Sequence, residues 1–231
     1  MEPFGSGSLW AELLAYGSAV AISPIHIGLL LLLLLGPQPL QRGGWFVVSW
    51  MVTTGLMVVL LLTLGHGLLL SMEKGSHHRT GLDLLAAGAL LALGLKELLE
   101  RHADDEASPG WTRQLDRFSA LPLPVLLSAS CALELISPDD LFLFAKTASC
   151  LLAAGLNRIQ EGIGTAVFAS SASLALLLPW MAVLIGRKRV MPFLEGTKAL
   201  LFKRGDLVVA SLSLLLASYL GWQGIEGLQL S

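Results

Sequence analysis

Six predominantly apolar stretches alternate with polar connections along the chain, at residues 9–35, 45–70, 82–99, 121–156, 162–185 and 206–224. Each approaches or exceeds the ~20 residues that a helix needs to cross the hydrocarbon core of a bilayer. The fourth is long for one crossing, and residues 134–140 form a polar dip within it. That profile predicts a broken helix, or one crossing plus a re-entrant or interfacial turn.

Proline interrupts two of these stretches at matching places. The first holds Ile22-Ser23-Pro24, followed by Ile25-His26, and the fourth holds Ile136-Ser137-Pro138, followed by Asp139-Asp140. Proline cannot donate to a helix ladder and clashes with the preceding turn, so both stretches are expected to break there. At an offset of 114 the flanking positions also match: Leu13 with Leu127, Ala15 with Ala129 and Leu29 with Leu143. Leucine identities are cheap in such segments, but a mid-helix Ile-Ser-Pro is not. A half with three crossings ends on the opposite side of the membrane, so a second copy must run upside down, as in many secondary transporters. We therefore expect an all-α integral membrane protein of six transmembrane helices in two inverted three-helix repeats, residues 1–99 and 121–231. Helices 1 and 4 are broken at Ser-Pro, and the hydrophilic stretch 100–120 forms a cytoplasmic linker.

Composition agrees with a membrane location. The chain of 231 residues is 54% hydrophobic and 14% charged, with a mean hydropathy of +0.71, whereas a soluble domain carries about 25% charged residues. Residues 1–8 hold Glu2 and no Lys or Arg, so no signal peptide is expected and the first apolar segment should persist. The connections at 36–44, 100–120 and 186–205 share one side and carry ten Lys and Arg residues, against Lys74, Arg79 and Arg158 on the other. The positive-inside rule then puts both termini outside the cytoplasm of a bacterial inner or plasma membrane. A net charge of −2 gives no reason to expect nucleic-acid binding. The two cysteines, Cys131 and Cys150, are 19 residues apart in one segment and cannot pair on an unbroken helix.

The breaks free backbone groups at membrane depth, which must face protein or a water-filled cavity. Ser23 and Ser137 sit beside those groups and can cap a half-helix or contact a substrate. The candidate substrate- or ion-binding residues are Ser23, Pro24 and His26 in one half, and Glu134, Ser137, Pro138, Asp139, Asp140 and Lys146 in the other. A charge at the bilayer centre costs about 2.5–3.5 kcal/mol on insertion scales. Three carboxylates and a lysine so close together are expected to line an aqueous cavity or to pair; Asp139 and Lys146, at i and i+7, share a helix face. Adjacent carboxylates in a poor dielectric resist joint ionisation, which suits proton coupling. A plainer reading makes Asp139-Asp140 a cap for the second half-helix, and lets Lys146 snorkel. Glu12 is a candidate for an exit path. Gly17 and Ala21 have the spacing of helix packing, and residues 190–203 are expected along the cytoplasmic interface. His77-His78 has no further ligand nearby in sequence, so no metal or cofactor is expected.

With its two Ile-Ser-Pro breaks, the long apolar run to Gly36-Pro37 and the acidic tail of the second break, the chain resembles the LysE superfamily of small six-span exporters with inverted three-helix halves. Within it the likeness is greatest to the GAP family, the glycolipid-addressing proteins, which includes sulfolipid-addressing members. The resemblance implies movement of a lipid or other amphipathic small molecule, with Ser23-Pro24 and Ser137-Pro138 framing the central site. It also implies membrane lipids as partners and a tendency to form a homodimer or larger membrane complex. A redox branch of the superfamily uses one cysteine in the first helix and one in the fourth, and here the first helix has none. The leading expectation is a secondary transporter with alternating access and proton or cation coupling. The alternative is a non-transporting accessory subunit of a lipid-export or other membrane assembly. No hydrolase signature is present, so no enzyme activity is expected.

Overall fold

The computed structural model describes residues 7–68, 76–101, 121–186 and 189–230, and all regular structure among them is helical. In chain order the helices are α1 (Gly7–Ala21), α2 (Pro24–Leu35), α3 (Pro39–Gly67), α4 (His77–Arg101), α5 (Leu123–Ile136), α6 (Pro138–Ala153), α7 (Arg158–Ala172), α8 (Leu174–Gly186) and α9 (Met191–Leu230). The expected linker, beyond Arg101, lies outside the described residues, as do Lys74, Arg187 and Lys188 of the charge count.

Both expected proline breaks are present, and their backbones match. Ser23 takes φ −73°, ψ 112° and Ser137 takes φ −67°, ψ 110°. Each is the residue before a proline, where the ring pushes the preceding backbone out of the helical region. Each proline then opens the next helix, the position where a missing N–H costs nothing. The first break bends α1 from α2 by 59°.

Two expectations need correction. The fifth apolar stretch is not one helix: α7 and α8 meet at Ser173 at 61°. Ser171 Oγ donates to the Phe168 carbonyl and Ser173 Oγ to that of Ala169, and such back-bonding bends helices without proline. The expected interfacial stretch 190–203 is not separate either. It continues into the sixth segment as the single 40-residue α9, about 60 Å long at ~1.5 Å per residue and thus longer than the ~30 Å hydrocarbon core.

α2 is the central helix, with Leu29 to Leu34 all buried. Around it, α1 crosses α7, α3 lies against α5, α6 and α7, and α9 packs beside α2. α4 runs antiparallel along α9, through small residues. A Cβ on Gly94 would meet Leu214 at 2.9 Å, and one on Gly224 would meet Leu84 at 2.6 Å. The outer surface is apolar, with Leu56, Leu85, Leu178 and Leu215 exposed on different helices. Pro39–Gly67 and Leu207–Gln229 are each long and apolar enough to cross a membrane, and the bent pairs α1–α2 and α7–α8 add two more if each is one span. This is a membrane protein.

Candidate functional site

The site forms where the two Ser-Pro breaks approach α3. At the first break, the Ser23 hydroxyl and His26 Nδ1 are hydrogen-bonded at 2.7 Å. His26, on the first turn of α2, is 3% exposed, and its ring lies 4.1 Å from that of Trp50 on α3. One turn further along α3, the Thr54 hydroxyl donates to Glu134 Oε1 near the end of α5. Trp50 and Thr54 are at i and i+4, so one face of α3 touches both breaks. The same turn of α3 also presents Ser49 and Thr53 to Cys131 Sγ, at 3.2 and 3.1 Å.

The structure separates the two adjacent aspartates. Asp139 Oδ1 accepts a hydrogen bond from the Ser137 hydroxyl two residues before it, and the residue is only half-buried. This puts Asp139 in the first turn of α6, where the positive end of the helix dipole favours a carboxylate. Asp140 turns inward and is 1% exposed. Asp139 and Glu134 lie near enough for their charges to act on it.

Several polar atoms at this place are buried and, among the described residues, without a hydrogen-bond partner: His26 Nε2, Trp50 Nε1, Glu134 Oε2 and Asp140 Oδ2, with Ser130 Oγ one turn before Glu134. Buried polar groups are normally satisfied. This set offers an indole donor, two carboxylate acceptors and an imidazole nitrogen, which suits a hydroxyl-bearing or cationic guest.

Of the candidate residues, Ser23 and His26 meet at the first break, and Glu134, Ser137, Asp139 and Asp140 gather at the second. Pro24 and Pro138 act through the backbone by opening α2 and α6. Lys146 does not join them. It is fully buried two turns along α6 and pairs with Asp83 of α4 instead of Asp139. Trp50 and Thr54 are not among the residues that sequence singles out, although Trp-x-x-x-Thr in an apolar helix places both on one face. Cys131 and Cys150 are free thiols on opposite sides of the second break. His66, in the last turn of α3, bonds Glu161 Oε1 at 2.7 Å, with Arg158 Nη1 3.3 Å from the other oxygen.

No curated protein and no solved structure matches the chain. The family described as Sap, sulfolipid-1-addressing protein, matches it over residues 13–226, which take in both breaks and every residue of the site. The chain therefore belongs to the Sap, sulfolipid-1-addressing protein, family.

Proposed function

We propose that this protein carries a lipid or other amphipathic small molecule across the membrane, alternating between two arrangements hinged at Ser23-Pro24 and Ser137-Pro138. One observation carries the reading. The 114-residue offset that aligns the breaks also aligns His26 with Asp140. Each is the third residue of its half-helix, each is almost wholly buried, and each keeps one polar atom without a partner among the described residues. Two titratable groups at equivalent points of two hinges suit a guest headgroup, or a coupling proton or cation, that exchanges between them. The family's description, a sulfolipid-addressing protein, favours lipid as cargo.

The inverted repeat belongs to this proposal, with six crossings formed by α1–α2, α3, α4, α5–α6, α7–α8 and α9 and halves at 1–99 and 121–231. Its support is that the helix before each break crosses the second segment of the other half. Gly17 of α1 meets Ser171 and Phe168 of α7. Its counterpart at the same offset, Cys131 of α5, meets Ser49 and Thr53 of α3. Membership of the wider LysE superfamily and termini outside the cytoplasm belong to the same reading, the latter from the charge asymmetry of the loops. We read the protein as having no enzymatic activity. Ser23 meets His26 through Nδ1, and Nε2 has no carboxylate to orient it among the described residues, whereas a hydrolytic Ser-His pair uses such a third group.

The test is reconstitution of the purified protein into liposomes holding a fluorescent lipid analogue, with transbilayer movement followed by quenching. Protein-dependent movement is the expected result. Movement at the rate of empty liposomes, together with a partner that co-purifies stoichiometrically, would favour the accessory-subunit reading instead.

A further inference from the structure

A second polar network lies away from the breaks. Four helices each bring two polar residues, one turn apart, to one place: Glu12 and Tyr16 on α1, Arg79 and Asp83 on α4, Lys146 and Cys150 on α6, and Tyr219 and Gln223 on α9. Lys146 Nζ donates to the Asp83 carboxylate and, at 2.9 Å, to Gln223 Oε1. Cys150 Sγ donates to Glu12 Oε2 at 2.9 Å. Gln223 Nε2 donates to the Tyr219 hydroxyl at 2.8 Å, and the Tyr219 and Tyr16 rings are 6.5 Å apart. Arg79, itself buried, lies within electrostatic range of Cys150.

Chain order puts this network toward one end of the bundle, where α1 and α4 begin and α6 and α9 finish. Asp83–Lys146 and Glu12–Cys150 each join a residue before the 100–120 stretch to one after it. At the other end such contacts use neutral acceptors: Arg42 Nη2 donates to the Leu121 carbonyl at 2.6 Å and Trp180 Nε1 to that of Leu40 at 3.0 Å. A buried ion pair is poor glue for a permanent contact, because desolvation offsets most of the attraction. It suits a contact that opens, since parting in the presence of water rehydrates both ions. Lys146 also sits six residues beyond Asp140 on the same helix, about 9 Å along its axis, so a tilt of α6 at its break carries Lys146 off Asp83.

We propose that the Lys146–Asp83–Gln223 cluster, with Glu12–Cys150 beside it, is the gate that closes the end of the bundle carrying both chain termini; it rests on the alternation proposed above. Cys150 is its built-in reporter. With Cys131→Ala as background, Cys150 is the sole thiol, and the protein in nanodiscs is exposed on both faces to a membrane-impermeant maleimide. Labelling of the background is slow. Asp83→Asn, which strands the lysine, raises the rate about tenfold or more, and the exchange Asp83→Lys with Lys146→Asp returns it toward background. Gln223→Leu, a milder change, raises it about fivefold, the worth of one ordinary hydrogen bond. A flat rate in Asp83→Asn overturns the gate. If that variant does not fold, a flat rate in Gln223→Leu does so, and so does a charge exchange that leaves the rate high. Labelling needs no cargo, so the two ideas fail separately: flat labelling with intact lipid movement removes the gate alone, and responsive labelling without lipid movement removes the transport reading.

Discussion

Asp139 and Asp140 are neighbours in sequence with opposite expected responses to the same substitution. Asp139 sits half-buried in the first turn of α6, its oxygen held by the Ser137 hydroxyl. In Asp139→Asn the amide oxygen still accepts that bond, and what is lost is a negative charge at a helix N-terminus, worth about 0.3–1 kcal/mol. Lipid movement should then stay within about fivefold of wild type, the factor that ~1 kcal/mol represents. Asp140 is buried, with one oxygen unpartnered among the described residues. Asp140→Asn keeps the shape and removes the ability to charge. It therefore costs no stability, and gains up to ~3 kcal/mol if the native carboxylate is held ionised at membrane depth. If that carboxyl is already neutral, the gain vanishes.

The expected pattern is thus a variant at least as stable as wild type that moves lipid no faster than empty liposomes, beside a slightly destabilised neighbour that still works. Stability is read from unfolding by denaturant in mixed micelles, and function from the fluorescent-lipid assay on the same preparations. Equal loss of function in both variants would refute the separation of roles. Full function in Asp140→Asn would refute any part for this carboxyl in coupling or headgroup binding.

Contacts away from Asp140 give three other expected outcomes. A Cβ on Gly17 overlaps the Ser171 hydroxyl and comes within 3.0 Å of the Phe168 carbonyl, so Gly17→Leu should destabilise by about 1–3 kcal/mol through overpacking, seen as earlier unfolding; Ser171→Gly should recover part of it, and no recovery argues against the α1–α7 crossing. Thr54→Val leaves Glu134 without its hydroxyl donor, which should cost about 1–3 kcal/mol, while Thr54→Ser, retaining the hydroxyl, should unfold close to wild type. Glu12→Cys faces Cys150 across a gap that the longer glutamate spans with a hydrogen bond; a short bis-methanethiosulfonate cross-linker should tie α1 to α6 and stop lipid movement, a reductant should restore it, and movement that continues with the bridge formed contradicts motion between these helices.

The proline breaks were legible because a Ser-Pro step fixes the backbone on both sides of itself: the ring removes a donor from one turn and dictates the conformation of the residue before it. The bend at Ser173 was not, because it arises from serine hydroxyls turned back on carbonyls, and a serine-rich run looks the same whether its hydroxyls do this or point elsewhere. The continuity of α9 was hidden by the mixed apolar and basic residues 190–203, which suit an interfacial helix as well as the protruding start of a long one. In the site, sequence spacing gathered Glu134, Asp139 and Asp140 at the second break and put Lys146 on the face of Asp139, whereas the structure pairs that lysine with Asp83. Its nearest acids in sequence lie on its own helix, but a lysine two turns along a buried helix meets what the neighbouring helices bring, here Asp83 and Gln223. Trp50 and Thr54 escaped because neither carries a charge. Their importance is positional, one face of α3 laid across both breaks.

The likeness of the two breaks lies in the backbone and their difference in the side chains. Ser23 and Ser137 share nearly the same φ and ψ, so both breaks present the same freed backbone groups and the same helix ends. The side chains just beyond each proline differ: Ile25-His26 in one half, Asp139-Asp140 in the other. A pair of identical hinges with identical side chains would treat a guest alike from either side, and a ligand with equal affinity for two states shifts neither. Imidazole at one hinge and carboxyl at the other remove that equality, because one gains charge with a proton and the other loses it. Lys146 extends the asymmetry, since the corresponding position of α2 is Leu32, and only the second half carries a cation from its hinge toward the end of the bundle. In the transport reading proposed above, the half that bears Asp140 and Lys146 is the one expected to set the direction of movement. Exchanging His26 and Asp140 should alter the direction or pH dependence of lipid movement without moving either hinge, and an exchanged protein whose transport is the same in both respects would show the two sites to be equivalent.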